Sequence, residues 1–467
     1  MDKHGYSMAL ILLLSGCSLK PVLRIPGAGL PEHYPQAQVG DRDASIAQME
    51  WTSMFPEPRL QKLIQLALDN NYDLRMAALN VDAIRAQFRI QRAARVPAID
   101  ATGNLVRQRA DVNGEGISVS SQYGAGVGIS AFELDLFGQA KSLSEAAFSR
   151  YLASEHGQRA ARIALIGAVA ESYYGEILCS EQLNLAERTL VDWRQSLDLA
   201  RKLKNADQGS GLDVVQAEAQ VAQAEADLEM RTRALVQARN AMRLLVGTAL
   251  PPDLPPMPRL DDLSIRALPS GLPSDLLVRR PDILQAEYNL RAANADIGAL
   301  RAAFFPRLSL TASTGYSSSE LNRLFDGANR VWSFAPQLTL PIFNAGRLRS
   351  ELRLGEIRKS SAIVEYERTV QTAFREVADA LAGRETYGRQ IQAQQRVVAS
   401  AAKRVELSGL RYRAGLDSRL ELLDAQRQWY ASRQAYDDLR IAERVNAVAL
   451  YKALGGGTAP VVVPGKY

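Results

Sequence analysis

The chain has 467 residues, 47% hydrophobic, 23% charged and only 7% aromatic, with 32 Gly, 20 Pro, 2 Cys and a net charge of +5. That make-up can bury a sizeable core, which excludes wholesale disorder and a disulfide-stapled mini-domain, and the length alone suggests about two to four ordinary domains. The 56 basic and 51 acidic residues are interspersed along the chain, which argues against a nucleic-acid footprint.

At the N-terminus, Lys3 and His4 precede a short apolar run, Met8 to Leu14. It ends in Leu14-Ser15-Gly16-Cys17 and turns polar at Ser18 and Lys20, the layout of a secretory signal over residues 1–16. This run and Ile163 to Ala170 are the longest apolar stretches, both far short of the ~20 residues a spanning helix needs. The small residues before Cys17 resemble a bacterial lipobox, in which the Cys receives a diacylglycerol and becomes the new N-terminus; a chance Cys after an ordinary signal is the alternative. In the lipoprotein reading residues 17–60 are a lipid-anchored N-terminal segment. Ser18 stands where an Asp commonly retains such proteins at the inner membrane, so it favours the outer membrane. Cys179, in a helical stretch without a partner, reads as a small buried apolar residue. An exported chain with one free thiol does not rely on disulfides.

The first structural repeat is expected over 61–250: a helix, a β-hairpin at about 98–137 and a long helical hairpin. Ile99, Ala101 and Leu105 alternate with Asp100, Thr102 and Asn104. Tyr123, Ala125, Val127, Ile129 and Ala131 alternate with Gly124, Gly126, Gly128 and Ser130. The polar stretch Arg107 to Gln122 reads as the loop between these strands. Pro97 and Pro251 then bound a proline-free interval rich in Ala, Leu, Gln, Glu and Arg, which predicts a helix from about Gln139 to Leu203. Some 65 residues of helix span roughly 100 Å. A Gly-bearing break at Ala206 to Gly211 leads into a second helix ending near Val246, so the pair forms an antiparallel hairpin.

Eight of the twenty prolines fall between Pro251 and Pro281, marking a linker over 251–280. The plan then repeats over 281–455. Asp73, Ala77, Asn80, Ala83, Ala86, Arg92, Ala93, Ala94 and Pro97 match Asp282, Ala286, Asn289, Ala292, Ala295, Arg301, Ala302, Ala303 and Pro306 at one constant offset. A second β-hairpin is expected at about 306–342. Leu308, Leu310, Ala312 and Tyr316 alternate with Ser309, Thr311, Ser313 and Gly315; Trp332, Phe334, Leu338, Leu340 and Ile342 alternate with Ser333, Gln337 and Thr339. A long helix from about Arg347 to Tyr412, a break at Ala414 to Leu416 and a last helix to about Leu454 complete the repeat, with 456–467 as a tail.

Each strand is expected to be about nine to eleven residues long, the length that crosses a bilayer as tilted β. A half-buried sheet on a soluble core would alternate in the same way. The small polar second face instead suits a channel wall, with Tyr123, Tyr316, Trp332 and Phe343 near the strand ends as an interfacial girdle. Four strands cannot close a barrel, and open edges are not tolerated in hydrocarbon, so several copies must contribute. The run Gly124-Ala125-Gly126-Val127-Gly128 lacks the dinucleotide fingerprint and belongs to the strand.

These pieces resemble the outer-membrane channels of the TolC family, most closely its OprM-like lipoprotein branch. The resemblance is carried by the lipobox, Ala78-Leu79-Asn80-Val81, Phe132 to Gly138 (FELDLFG), Gly271 to Leu277 (GLPSDLL), Arg279 to Ile283 (RRPDI), Leu422 to Gln426 (LLDAQ) and Leu450 to Gly457. It covers nearly the whole chain. It implies a mainly α, mixed fold: long antiparallel helical hairpins form an α-barrel tunnel, and four strands per protomer join a twelve-stranded transmembrane β-barrel shared by a homotrimer. Such channels sit in the outer membrane with a long periplasmic extension. They dock an inner-membrane pump through a periplasmic adaptor and release drugs or other small toxic compounds.

Both helix breaks fall at the same end of their hairpins, the expected periplasmic tip. Glu421 and Asp424 share a helix face, either a solvated one or, if it lines the tunnel, one that favours cations at the narrowest point. The resemblance implies the second, since Leu420 and Asp424 match constriction-lining positions and Glu421 a further acidic ring in some members. It also implies closing contacts at Asp213 and Tyr412. Asp417, however, is acidic where the TolC branch has a basic partner, which puts that branch's salt-bridge clasp in doubt. The tips, Gly209, Ser210, Gly211 and Leu212 with Gly415, Leu416 and Ser418, are the expected adaptor-docking surface.

No catalytic constellation is present. His4, His33 and His156 stand in unrelated contexts, so no enzyme activity, metal or cofactor is expected. An outlet for protein or metal-ion export is the alternative within the channel class. A lipid-anchored periplasmic coiled-coil scaffold is the alternative outside it, and the four alternating segments speak against that.

Overall fold

The computed structural model describes residues 19–25, 27, 50–111, 117–263 and 280–456. Cys17 and the expected signal lie outside the described residues, as do residues 264–279 of the linker and the tail beyond 456. A single helical turn at Trp51–Met54 precedes α1 (Pro58–Asn70) and α2 (Tyr72–Ala93). Then come β1 (Asp100–Asp111), β2 (Ile117–Leu134), α3 (Gln139–Asn205), α4 (Gly211–Val246), α5 (Pro281–Ala302), β3 (Arg307–Ser318), β4 (Arg330–Thr339), α6 (Arg347–Arg413) and α7 (Arg419–Ala453). The chain does not divide into successive domains. Of the described residues, one compact unit holds 19–25, 80–111, 117–155 and 285–367, and the other holds 27, 50–79, 156–263, 280–284 and 368–456. Each unit therefore draws on both sequence repeats.

The first unit contains a four-stranded antiparallel sheet in the order β1-β2-β3-β4. Its register turns the sequence alternation into two faces, because residues paired across antiparallel strands project to the same side. Trp332 pairs with Thr314, Thr314 with Val127, and Val127 with Ala101; Leu338 pairs with Leu308, and Leu308 with Leu134. The opposite face carries Ser333, Ser313 and Gly128, with the Ser313 and Ser333 hydroxyls hydrogen-bonded at 2.8 Å. The apolar face is bare: Leu105, Val127, Trp332, Phe334 and Leu338 are all exposed, Trp332 by 78%.

The strands differ from expectation in three ways. First, most of the expected Arg107–Gln122 loop is ladder, paired from Arg107↔Ser121 to Asp111↔Ile117, and β2 reaches 18 residues. Backbone pairing satisfies its own donors and acceptors, so polar residues prolong a ribbon wherever neither face has to be buried. Second, β2 carries a bulge between Ile129 and Phe132. Ala131, expected to continue the alternation, lies in this bulge at φ +50°, with its N–H donating to Thr311 Oγ1 at 3.2 Å. The inserted residue shifts parity, which keeps Phe132 and Leu134 on the apolar face with Leu310 and Leu308. Third, β4 ends at Thr339, short of Leu340 and Ile342. Pro341 has no N–H to extend the ladder.

The same unit fixes the first described N-terminal residues. Lys20 pairs with Glu145 at 2.6 Å, Asn294 Nδ2 donates to the Pro21 carbonyl at 2.9 Å, and Arg301 reaches the Leu19 carbonyl at 3.5 Å.

The second unit is helical. Leu190, Trp193, Leu197 and Ala200 of α3 bury against Val214, Ala217, Val221 and Ala224 of α4, and the Arg194–Glu225 and Arg201–Glu218 pairs, each 2.7 Å, flank the seam. Residues near the two proline-rich borders are held by arginines of the long helices. Arg440 and Arg444 donate to the Leu260 and Leu263 carbonyls, each at 2.7 Å. Arg280 is only 8% exposed. It forks onto Asp282 at 3.0 and 2.7 Å, reaches Glu376 at 2.9 Å and caps the end of α7 through the Ala453 carbonyl at 2.8 Å. Arg280 thus ties the start of α5, and with it the start of the second repeat, to α6 and α7.

Candidate functional site

The candidate site lies in the second unit, at the ends of α3 and α6. Both helices stop in the same way. The Gln208 N–H donates to Leu203 at 2.9 Å and Asp207 N–H to Lys204 at 3.0 Å; Leu416 N–H donates to Arg411 at 2.9 Å and Gly415 N–H to Tyr412 at 3.0 Å. These paired bonds close each terminus with one left-handed residue, Asp207 at φ +57° and Gly415 at φ +69°. Glycine meets that demand freely in the second repeat, while the first uses an Asp, one of the residue types that tolerates it. Each break then leads to a serine at the start of the next helix, Ser210 before α4 and Ser418 before α7.

The two serines act differently. Ser210 Oγ accepts the Leu212 N–H at 3.0 Å, and the Ser210 N–H donates to Asp213 Oδ2 at 3.2 Å, a capping box that opens α4. Ser418 makes no side-chain cap. Just beyond the serines, Leu212 and Leu420 occupy equivalent places at 64% and 59% exposure, and Leu416 is 69% exposed. Three bare leucines at two polar turns make a surface that water alone serves poorly.

The acidic residues of α7 have a partner that lies far back in the sequence. Arg404 of α6 donates through Nη2 to Glu421 Oε1 at 2.8 Å and to Asp424 Oδ2 at 2.8 Å, and through Nε to Glu421 at 3.2 Å. The hydrogen bonds that Arg404 donates to Glu421 and then to Asp424 raise its guanidinium above the usual arginine range. Asp417 accepts from Arg411 Nε at 2.8 Å, which raises Arg411 in turn. The site residues expected from the sequence therefore fall into separate clusters. Glu421 and Asp424 meet on one guanidinium, Asp417 pairs within its own hairpin, and Asp213 caps α4.

Tyr412 has a different companion. Arg419, the first residue of α7, lies over the Tyr412 ring at 5.8 Å and donates to the Ser196 carbonyl and hydroxyl at 3.1 and 3.0 Å. Arg419 is 2% exposed, and its Nε and Nη1 find no partner among the described residues. It attaches the last helix to α3 with a buried, half-satisfied charge. Further along α7 a polar chain makes the same attachment more completely. Tyr430 donates to Asp227, Arg231 pairs with Asp227 at 3.3 Å and donates to Gln182, and Gln182 Nε2 donates to Asp438 at 2.7 Å. Burial, and then Asp227, push the Tyr430 phenol up, and burial raises Asp438.

Sequence reasoning missed Arg404 and Arg419. Arg404 stands 17 and 20 residues before its partners, a separation with no helical meaning. Folding the sequence about the Ala414–Leu416 break brings those positions opposite one another, and this was the available signal. Arg419 reads as an exposed charge beside a turn, and nothing local reveals that Ser196 covers it. Among the described residues no group of His, Cys, Asp and Glu could hold a metal ion, and no helix is long and apolar enough to cross a membrane.

The comparisons agree with this architecture. The model of the family described as outer membrane efflux protein matches residues 63–248 and 272–456. The toluene efflux pump outer membrane protein TtgC of Pseudomonas putida is 44% identical over 466 residues, spanning 98% of this chain and 96% of its own. Outer membrane protein OprJ of Pseudomonas aeruginosa is 44% identical over 462 residues, spanning 97% and 96%. Among solved structures, the open state of the Neisseria gonorrhoeae MtrE outer membrane channel superimposes with a TM-score of 0.86 at 38% identity, covering 94% of this chain and 98% of that one. A membrane protein from Pseudomonas aeruginosa gives 0.87 at 42%, covering 94% and 100%.

Proposed function

The chain belongs to the outer membrane efflux protein family, and from that premise we propose that three copies form one channel through which drugs, solvents or other small toxic compounds leave the cell. The chain is the outer-membrane component of an efflux system and not an enzyme. The trimer, the lipid at Cys17, the adaptor and inner-membrane pump it serves and the cargo belong to the proposal.

One observation carries it: a four-stranded sheet with a bare apolar face, a small polar face and, among the described residues, free edges at β1 and β4. Such a sheet is stable in hydrocarbon only when its edges are paired, and further copies of the same sheet provide that pairing. A periplasmic scaffold would leave Trp332 and Phe334 without a solvent. The relatives named for toluene, solvent and antibiotic efflux support a small-molecule cargo.

The gate in this reading is the start of α7. Leu420, Glu421 and Asp424 line the constriction. Asp417 is neutralised by Arg411, so the tie between the hairpins rests on Arg419 and Ser196 beside Tyr412, with Asp213 reserved for the α4 cap. The turns Gly209, Ser210, Gly211 and Leu212, and Gly415, Leu416 and Ser418, present exposed leucines to adaptor hairpins. Cysteines introduced at Ser210 or Ser418 are expected to cross-link to an adaptor; capture only at mid-helix positions would contradict the docking assignment.

A further inference from the structure

We propose that Arg404 sets the ion selectivity of the gate. The inference rests on the reading that Glu421 and Asp424 face the pore, and it adds the residue that decides how much of their charge a passing ion meets.

The guanidinium spans both carboxylates, at 2.8 Å to each, and all three side chains are substantially exposed, from 41% to 61%. Exposed pairs of this kind add little to stability. Their consequence lies in fixed charge: one Arg404 per two carboxylates halves the negative charge that each copy contributes. Permeant ions respond to the summed charge at a constriction, so this ratio governs the preference for cations over anions.

Among the described residues no other base hydrogen-bonds these carboxylates. Arg411 is close enough to feel Glu421 but hydrogen-bonds Asp417, Lys403 pairs with Glu406 at 3.0 Å, and Arg419 is buried against Ser196. The residue type matters as well. An arginine stays charged at every pH the periplasm meets, and its planar fork reaches two acceptors at once. Cargo is affected through the same sum: weakened cation preference lets anionic compounds pass a gate that two unneutralised acidic rings would oppose.

The test is the reversal potential of the full-length protein in planar bilayers under a KCl gradient, for the native chain and for R404Q, R404K and the double variant E421Q/D424N. The native channel is expected to be weakly cation-selective. R404Q should raise the potassium-to-chloride permeability ratio by roughly twofold or more, R404K should stay near native, and E421Q/D424N should shift the ratio towards anions. An unchanged reversal potential in R404Q, with E421Q/D424N shifted, overturns the role of Arg404. An unchanged potential in E421Q/D424N overturns the underlying gate reading instead. If R404Q does not insert, R404C in a Cys179→Ser background, modified within the bilayer, decides: a cationic thiol reagent should restore native selectivity and a neutral one should not, and equal effects of the two reagents would count against the proposal.

Discussion

Asp437 illustrates how one buried carboxyl makes the stability of the helical unit depend on pH. It is nearly buried on α7, with Arg433 at 3.3 Å and Glu181, Arg440 and Asp261 around it, and burial lifts its carboxyl from 3.8 to about 6. A carboxyl whose folded pKa is raised favours the folded state below its unfolded pKa, and that contribution is lost as pH rises through about 6. Asp437→Asn, which keeps the shape without the charge, should therefore be close to neutral near pH 4 and stabilise by about 1–3 kcal/mol at pH 7.5. Thermal melts of both proteins across this range would check it, and a constant difference would count against it. Arg280 presents the opposite case, a buried charge with its donors engaged by Asp282, Glu376 and the end of α7. Its replacement by Ala should destabilise by about 2–3 kcal/mol, because the half-exposed carboxylates regain water while the α7 carbonyl stays buried. Chemical denaturation in detergent reads this directly.

At the scale of elements, the helices, the strands and their pairing into hairpins were legible, and the side-chain ties between elements were not. Proline-free intervals marked α3 and α6, which run Gln139–Asn205 and Arg347–Arg413 against expectations of Leu203 and Tyr412. Alternation marked the strands, because period two is a local property. The bulge escaped because Ile129 and Ala131 continue the alternation that Phe132 and Leu134 break. The parity conflict among these four residues was the trace it left. Arg404 and Arg419 escaped because their partners become neighbours only after the hairpins fold, and Cys17 lies outside the described residues. Gly298 shows a similar dependence. It sits within α5, where glycine costs about 1 kcal/mol, yet a Cβ there would meet the Lys20 Cα at 3.1 Å and Ser142 Oγ at 2.7 Å. Gly298→Leu should lift the segment around Lys20 off α5. Limited proteolysis would then cleave near Lys20 and Arg24 several times faster than in the native protein; equal rates would mean that the segment docks without this notch.

At the scale of the molecule, the free edges are the dominant fact. Among the described residues β1 and β4 each lack a second partner and the apolar face is bare to solvent, and in the proposed reading a length of 467 residues that suggests several self-contained domains serves a unit that further copies complete. If β4 of one copy pairs with β1 of the next, cysteines at Ser333 and at Thr102 or Asn104 in a Cys179→Ser background should oxidise into a ladder ending at three copies. A ladder confined to one copy would deny the shared barrel. The claim that this barrel continues into a gated conduit is tested most directly by single-channel recording in planar bilayers of the native protein beside its Leu420→Ala/Asp424→Ala variant. The account predicts stepwise conductance from both, larger in the variant. Inserted protein that conducts equally with and without the two substitutions would contradict the gate, and inserted protein that never conducts would contradict the channel.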